Sequence, residues 1–318
     1  MPEINLVAGS WAREYWTERR VRAMGCEAQI VVGDAPTDTV DWAVTELERL
    51  EQCWSRFRPT SELSRLNASP GRWVDVSASM LLALTCAADL HDASGGRFDP
   101  TILDALEAAG YDRSFELVDA GRASGAEPSR APGFSAVDID VDESRVRLPA
   151  GTRLDLGGVG KGLAADLLAR GLVDRGARTA LVGLGGDLRA RGEPPAGGAW
   201  RIPVEDPLDT TRVAFMWPLI DTAIVTSTTL MRTWDRGGRR YHHLIDPETG
   251  DSARGGIVAV VAAARDAWWA EGIAKAIVVA GFGAGATLAR ANRVHAWIYL
   301  DGGAVVEVAP ADEGETTP

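Results

Sequence analysis

The chain has 318 residues, a formal net charge of −12 at pH 7 and three cysteines. That length allows one large domain or two ordinary ones. The acidic balance, together with the lack of a basic run interleaved with aromatic residues, excludes an electrostatic nucleic-acid binder, which needs clustered basic surface. Cys26, Cys53 and Cys86 lack CxxC or metal-ligand spacing. We therefore expect buried free thiols and no disulfide framework.

The sequence predicts no targeting segment and no membrane span. Residues 1–11 have no basic region followed by a long apolar stretch. Nowhere does an apolar run approach the roughly 20 residues that a membrane-spanning helix needs. We therefore expect no membrane insertion and a cytoplasmic location.

The first third of the chain predicts one strand followed by three helices. Residues 28–32 form an apolar strand pattern, and apolar residues recur at helical spacing through 37–54. A second helix is predicted over 77–92, with a serine at its first position as the cap. A third helix is predicted to begin near Pro100, because the fixed φ of proline suits the first helical turn.

Loops and a hairpin are predicted next to these helices. The segment 55–67 is polar and turn-rich, and its one aromatic residue, Phe57, fits either a core position or a stacking surface. Residues 112–136 are rich in Gly, Ser, Pro and acids, which indicates a surface excursion. Apolar and polar residues alternate in 137–141 and 145–148 around a short polar turn, and this pattern predicts a β-hairpin.

The stretch from Leu154 to Gly171 predicts a strand, a glycine-rich turn and a helix. Glycines in the turn lack a Cβ, so backbone N–H groups can approach a ligand closely. They are Gly157, Gly158, Gly160 and Gly162. The leucines that follow recur at helical spacing, which places Lys161 and the turn amides at the positive N-terminal end of the helix. This arrangement favours an anionic ligand.

A second interpretation of this stretch is a tight turn that only packs a helix against a sheet. Neither common phosphate motif fits: a Walker loop has Ser or Thr after its lysine, where this chain has Gly162, and the glycine spacing does not give G-x-G-x-x-G. Two acids favour a ligand site. Asp155 at the predicted strand end and Asp166, just over one helical turn beyond Lys161, are predicted to hold polar parts of the ligand.

The second half of the chain predicts strands separated by glycine turns. The predicted strands lie in 179–187, 200–207, the residues around 213, 223–225, 256–264 and 294–300. The first of them runs into a second glycine turn that ends at Asp187. An apolar helix is predicted over 267–280, and the acidic residues from 309 onward predict a disordered tail.

Several short segments of the chain together form a pattern of known order and spacing. They are Met24-Gly25, 56–67, 96–101, 155–162, 185–187, Thr226-Ser227 and 243–250. In this order and spacing, from about Met24 to Leu300, the chain resembles the ApbE family of FAD:protein FMN transferases. The resemblance implies an α+β fold, a single compact two-layered domain over 21–308, with an N-terminal extension at 1–20 and a disordered acidic tail at 309–318.

The resemblance also implies a reaction and its participants. FAD is split, FMN becomes esterified through its phosphate to a Ser or Thr of a target flavoprotein, and AMP is released. FAD and an acceptor flavoprotein are then the partners. The positions that correspond to FAD contacts are Met24, Phe57, Arg97, Phe98, Asp99, Asp155, Lys161 and Asp187.

His243 falls where the family keeps its catalytic histidine. A histidine suits the task of a general base that accepts the proton of the acceptor hydroxyl, because its ordinary pKa is near neutrality. The alternative is a loop histidine bonded to a neighbouring carbonyl. Consecutive residues of an extended segment point in opposite directions, so we expect only one of His242 and His243 to face the site.

The helix predicted over 267–280 departs from the family pattern at the metal site. Family members carry Asp-x-x-x-Thr there, whose side chains bind Mg²⁺ together with a backbone carbonyl of the glycine turn, whereas this chain has Glu271 and Lys275. Glu271 can still bind a hard cation, with the carbonyl of Gly158 as a further ligand. Lys275 cannot. It is predicted either to take the place and charge of the metal beside FAD or to form a surface i,i+4 ion pair.

Three functions stay open at this point. The first is transfer of FMN to a protein, with Mg²⁺ or with Lys275 in its role. The second is an FAD pyrophosphatase that yields FMN and AMP with water as acceptor. The third is a flavin-binding protein that cleaves nothing. A second departure, Thr228 and Leu230 where the family commonly has a glycine and an aromatic residue, affects ligand recognition but not the predicted fold.

Overall fold

The computed structural model describes residues 16–117, 129–194 and 198–311. The strands in chain order are β1 (Trp16–Ala23), β2 (Cys26–Gly33), β3 (Trp73–Asp75), β4 (Asp138–Asp140), β5 (Arg145–Arg147), β6 (Thr179–Leu184), β7 (Asp187–Gly192), β8 (Trp200–Asp206), β9 (Asp209–Leu219), β10 (Ala223–Thr228), β11 (Thr233–Arg236), β12 (Arg239–His242), β13 (Ile245–Asp246), β14 (Asp251–Ser252), β15 (Ile257–Ala264), β16 (His295–Leu300) and β17 (Val305–Val308). The helices are α1 (Thr39–Trp54), α2 (Glu62–Asn67), α3 (Ala78–Ala93), α4 (Leu103–Ala109), α5 (Gly160–Asp174), α6 (Ala267–Ala280) and α7 (Phe282–Ala291).

An eight-stranded sheet forms the centre of the described residues. Its spatial order is β1-β2-β6-β7-β10-β15-β16-β17, and every neighbouring pair is antiparallel. β15 is apolar along its whole length because it lies inside the sheet with both faces covered. The fold is therefore α+β, as the sequence predicts.

The two faces of the sheet pack against different layers. Because side chains alternate along a strand, Ile30 and Val32 of β2 join the core that includes Leu47 of α1 and the apolar residues of α5 and α6. Val31 points the other way. It joins a second core in which the β8–β9 hairpin covers the sheet, and this core includes Trp200 and Trp297. The helical layer is the one that positions the site.

Several predicted elements are confirmed, and their ends are explained by local chemistry. Ser77 caps α3, because its side chain accepts a hydrogen bond from the backbone N–H of Met80. The hairpin predicted around residue 142 exists as β4–β5. Pro100 begins a short 3₁₀ turn, Pro100–Ile102, that leads into α4. All three cysteines are free, with Cys53 and Cys86 buried and Cys26 half-buried.

The strand predicted at residues 154–156 is wrong. Leu154 and Leu156 are buried, as a strand would require, but the segment pairs with no other strand. The side-chain amide of Asn67 takes the place of a neighbouring strand: its Nδ2 donates to the Leu154 carbonyl at 2.9 Å, and its Oδ1 accepts from the Leu154 N–H at 2.8 Å. The segment is an extended loop that enters the glycine turn.

The first strand overlaps the segment predicted as an N-terminal extension. β1 begins at Trp16 and pairs along its length with β2. The predicted surface excursion overlaps residues 118–128, and most of the predicted tail is 312–318; both stretches lie outside the described residues. Among the described residues, no helix has the length and apolarity that crossing a membrane requires.

Candidate active site

A cavity of ≈ 360 Å³ opens between the helical layer and the loops that follow β1, α1, α3 and β12. Its wall contains most of the residues predicted as site residues. They are Met24, Phe57, Arg97, Phe98, Asp99, Asp155, Gly158, Lys161, His243 and Lys275. Asp187 and Glu271 are not part of the wall and lie directly behind Lys161. Segments far apart in sequence therefore converge on one site.

Asp155 holds the entrance to the glycine turn. Its Oδ1 accepts a hydrogen bond from the backbone N–H of Gly157 at 2.8 Å, and its Oδ2 lies 2.6 Å from Nε of Arg56. The backbone N–H of Asp155 donates to the Pro100 carbonyl at 2.8 Å. Both carboxylate oxygens are thus engaged within the protein, and the side chain fixes the position of the turn and of Arg56.

Arg56 anchors an aromatic wall of the cavity. Its guanidinium carbon lies 4.1 Å from the ring centre of Phe57 and 4.7 Å from that of Tyr111, and its Nη2 donates to the Tyr111 carbonyl at 2.8 Å. The Phe57 side chain is 39% exposed although it sits on the cavity wall, so its face is available to a ligand. A rigid, partly exposed aromatic wall backed by a cation suits a flat heterocycle.

The loop that carries Arg97, Phe98 and Asp99 has one residue for each of three tasks. Asp99 is buried and holds the loop, since its Oδ1 accepts from the N–H and the hydroxyl of Thr101 at 2.8 and 2.6 Å. Phe98 packs on the glycine turn so closely that a β-carbon at Gly158 would lie 2.7 Å from its ring. Arg97 lines the cavity, and no hydrogen bond or ion pair joins its guanidinium to another described residue.

Four charged side chains from α5, β7 and α6 form a charge cluster at the edge of the cavity: Lys161, Asp187, Glu271 and Lys275. Lys161 Nζ bonds the Asp187 carboxylate and lies 2.8 Å from Oε1 of Glu271. Lys275 Nζ donates to the same Oε1 at 3.0 Å. The two carboxylates are almost fully buried, whereas both lysines reach the cavity wall.

Attraction between the charges of the cluster opposes the cost of burying them. Burial raises the pKa of Asp187, against the opposing attraction of Lys161. Burial acts to raise the pKa of Glu271, but the ammonium groups of Lys161 and Lys275 outweigh burial and lower that pKa to about 2. Burial acts to lower the pKa of Lys161, and the attraction of the two carboxylates outweighs it and raises that pKa. Burial lowers the pKa of Lys275, against the opposing pull of Glu271.

The residues present do not fit the Mg²⁺ ion that Glu271 and Gly158 were predicted to bind. Oε1 of Glu271 already accepts from two ammonium groups, and its Oε2 accepts from the backbone N–H of Gly162 at 2.8 Å. A hard cation needs several free oxygen ligands. Within the described residues, no group of three or more His, Cys, Asp or Glu is arranged to hold a metal ion.

The two adjacent histidines have different surroundings, as their alternation in the chain predicts. His242 is tied to backbone: its Nε2 lies 3.0 Å from the Ala253 carbonyl, and its Nδ1 accepts from the Leu244 N–H at 3.3 Å. His243 lines the cavity, and its buried Nδ1 has no hydrogen-bond partner among the described residues. Burial lowers the pKa of His243 well below its usual value, and the nearby charges of Arg232 and Lys275 lower it further.

Asp166 does not reach the cavity, so its predicted role as a ligand contact is wrong. It is buried at the start of α6, where its two oxygens accept from the backbone N–H groups of Ala267 and Trp268 at 3.1 and 2.9 Å. Its Oδ1 also accepts from Nε of Arg189 at 2.9 Å. Asp166 therefore fixes α6, the helix that carries Glu271 and Lys275, to α5.

Sequence reasoning assigned no role to three residues that shape the cavity: Arg56, Tyr111 and Arg232. Arg56 begins one of the recognised segments, so its position carried a signal. Tyr111 lies 55 positions away from Arg56, and nothing local connects the two. Arg232 lines the cavity and its Nη2 donates to the Gly25 carbonyl at 3.3 Å, which ties β11 to the turn after β1.

Comparison with known proteins shows which family the chain belongs to. The ApbE family model matches residues 24–298. This chain belongs to the ApbE family. Among solved structures, the ApbE protein from Thermotoga maritima superposes with a TM-score of 0.82 at 28% identity, covering 92% of this chain and 96% of that one. The apo form of the flavinyl transferase ApbE of Pseudomonas stutzeri gives 0.77 at 25%, covering 93% and 94%. The α+β ApbE fold is confirmed.

Curated relatives of this ApbE-family chain share one description, FAD:protein FMN transferase. The relative from Rhodobacter capsulatus is 30% identical over 237 residues, which is 73% of this chain and 45% of that protein. The relative from Vibrio cholerae is 29% identical over 78% of this chain and 75% of its own length. The one from Treponema pallidum is 29% identical over 85% and 80%. This chain thus spans less than half of the first relative and most of the other two.

Proposed function

We propose that this chain is an FAD:protein FMN transferase, which cleaves FAD and attaches FMN through its phosphate to a Ser or Thr of an acceptor flavoprotein. The observation that carries the proposal is the position of His243, a cavity histidine with an unpartnered buried Nδ1, beside two lysine ammonium groups. A base next to a cationic site is what transfer of a phosphoryl group to a hydroxyl needs. The names of the relatives support the same reaction.

In the proposed reaction the acceptor hydroxyl oxygen forms a bond to the phosphorus of the FMN half of FAD. The bond from that phosphorus to the oxygen bridging to AMP breaks, and AMP leaves. The hydroxyl proton goes to the ring of His243, which is neutral beforehand because its pKa is depressed. The phosphates of bound FAD carry negative charge, so they raise that pKa again and make the ring a better base.

The cavity offers complementary surfaces for the parts of FAD. The isoalloxazine or the adenine ring fits the wall made by Phe57, Tyr111 and Arg56. The unpaired guanidinium of Arg97 and the ammonium groups at the edge suit the phosphates, where they would stabilise charge that builds up on the leaving AMP. Asp99, Asp155 and Asp187 act indirectly, because their oxygens hold loops and Lys161.

Incubation of the purified protein with FAD tests the proposal. AMP is measured by chromatography, with and without a protein extract as the source of acceptor, and covalent flavin is detected by fluorescence in a denaturing gel. Transferase activity gives AMP together with a fluorescent protein band. AMP without a band identifies a pyrophosphatase, and tight FAD binding without AMP identifies a binding protein. Either of the last two outcomes contradicts the proposal.

A further inference from the structure

The chain contains only two lysines, Lys161 and Lys275, among its 33 basic residues. Both belong to the charge cluster, and both Nζ atoms bond Oε1 of Glu271. Everywhere else the chain uses arginine. A lysine ammonium is a compact charge with three donors, whereas the arginine guanidinium is a wide planar fork. The two positions that keep lysine are thus the two whose compact ammonium groups share one carboxylate oxygen of Glu271.

We propose that Lys275, together with Lys161, forms a metal-free binding site for the diphosphate of FAD, in which the Lys275 ammonium supplies the positive charge that the family pattern assigns to Mg²⁺. This inference rests on the proposed function for the identity of the ligand. The geometry of the two ammonium groups supports it independently of any reaction.

The path of the Lys275 side chain points to this role. Lys275 leaves α6 one turn after Glu271 and runs alongside the glycine turn, where its Cδ would lie 3.6 Å from a β-carbon at Gly158. Its Nζ makes one hydrogen bond to the described residues, to Glu271. Since an ammonium has three donors, two stay available on the cavity side. A surface i,i+4 ion pair would instead leave the side chain in solvent, but only 15% of it is exposed.

The ion pairs of the cluster oppose a metal ion at the same place. Its two lysines already bond its two buried carboxylates. A divalent ion at Glu271 would have to displace one of the ammonium groups from a buried carboxylate, and a buried charge without its partner is strongly unfavourable. An anionic diphosphate, in contrast, can approach the free donors of both lysines without breaking any existing ion pair.

The first experiment needs no variant. FAD affinity of the full protein is measured by flavin fluorescence in the presence of EDTA and then with added Mg²⁺. We expect the same dissociation constant in both conditions. Loss of binding in EDTA, with recovery in Mg²⁺, would show that a metal site exists with other ligands and would overturn the inference.

The second experiment uses the fact that only two lysines exist. Protein grown with ¹³C-labelled lysine gives one set of side-chain NMR signals for each, and the single variants Lys161→Met and Lys275→Met assign them. Inorganic pyrophosphate, added in EDTA, should shift the Cε signal of Lys275 and protect its amine from acetylation. An unshifted Lys275 signal at saturating pyrophosphate would refute the inference. Because pyrophosphate carries no flavin and no reaction occurs, this result is independent of transferase activity.

Variants distinguish FAD binding by the Lys275 ammonium from FAD binding through Mg²⁺. Lys275→Thr removes a charge-assisted contact, so metal-free FAD affinity should fall by about 10- to 100-fold. In Glu271→Asp with Lys275→Thr, which restores the family residue types, added Mg²⁺ should recover affinity. Arg290→Thr is the matched control, because it removes an exposed helical cation from α7 and should leave affinity unchanged. If Lys275→Thr binds FAD as well as the unmodified protein in EDTA, the lysine has no such role.

Discussion

Two buried ionic groups connect α5, β7 and α6, and they differ in how completely their donors are used. Arg189 is 2% exposed, and its guanidinium bonds Asp166, Asp221 and the carbonyls of Ala190 and Thr222. In the charge cluster, Lys275 bonds Glu271 alone among the described residues and faces a cavity. A buried cation that uses four of its five donors holds elements together. One with free donors beside a cavity has capacity to bind a ligand.

The largest expected effect is on the chemical step, on the cavity side of this comparison. His243→Ala should lower the rate of AMP formation by about 10²- to 10⁴-fold, since a general base is lost, while FAD affinity changes little. His242→Ala is the control, because that ring is bonded to backbone away from the cavity. Single-turnover AMP release measures both. Equal losses in the two variants would argue against the role of His243.

The sequence predicts the cavity better than it predicts the ion pairs behind it. The short segments that resemble the ApbE family predict the cavity wall, because each is a local sequence pattern. Local patterns also predict the apolar strand β15 and the Ser77 cap. The partner of Lys161 on α6 lies 110 positions away, so no local pattern reports it. The partners of Asp166 are also far away in sequence, so its structural role is not predicted either. At Leu154 no strand forms, because the side chain of Asn67 makes the hydrogen bonds that a neighbouring strand would make.

The next largest expected effect is on the stability of the protein and concerns the ion pairs of Arg189. Arg189→Met leaves the buried Asp166 carboxylate without its cation, so the free energy of unfolding should fall by about 3–5 kcal/mol. Asp221→Asn is the control: it removes the other carboxylate partner of Arg189, whose side chain is 52% exposed, and should lower stability by less than about 1 kcal/mol. Urea unfolding measures both. Similar small losses would mean that Arg189 is not a structural centre.

A third effect concerns the contact that joins the two regions, where α5 crosses α6. A β-carbon at Gly162 would lie 2.5 Å from the Ala267 carbonyl oxygen and 2.6 Å from the Trp268 nitrogen. Gly162→Ala should therefore force the helices apart and lower the free energy of unfolding by about 1–3 kcal/mol. Gly283→Ala on α7 is the matched control, because no atom lies within 4 Å of its new methyl group. Its helix propensity should raise stability by up to about 1 kcal/mol.

The smallest effect is a pH dependence of stability to which His243, in the cavity, contributes. His243 has a pKa well below the usual value of 6.5, with burial as the largest cause. The unfolded chain therefore binds a proton at a higher pH than the folded protein does. Stability from this group is present above pH 6.5 and is lost as pH falls towards the folded pKa. Burial raises the pKa of Asp166 to about 6, which has the opposite effect over this range. The contribution of His243 is therefore measured as the difference in stability between the unmodified protein and His243→Gln, which urea unfolding should show to be smaller at pH 5.5 than at pH 7.5.

Variants assign this loss to its source. His243→Gln removes the titrating ring and should flatten the dependence between the two pH values. His242→Gln should flatten it as well, since burial lowers the pKa of His242 too, although His242 is held by backbone hydrogen bonds and lies outside the cavity. The two are distinguished by ligand. Bound FAD brings negative charge next to His243 and raises its pKa. In His242→Gln, where His243 still titrates, saturating FAD should therefore reduce the pH dependence of stability. In His243→Gln it should leave that dependence unchanged. A dependence that responds to FAD equally in both variants would show that the phosphates do not lie beside His243.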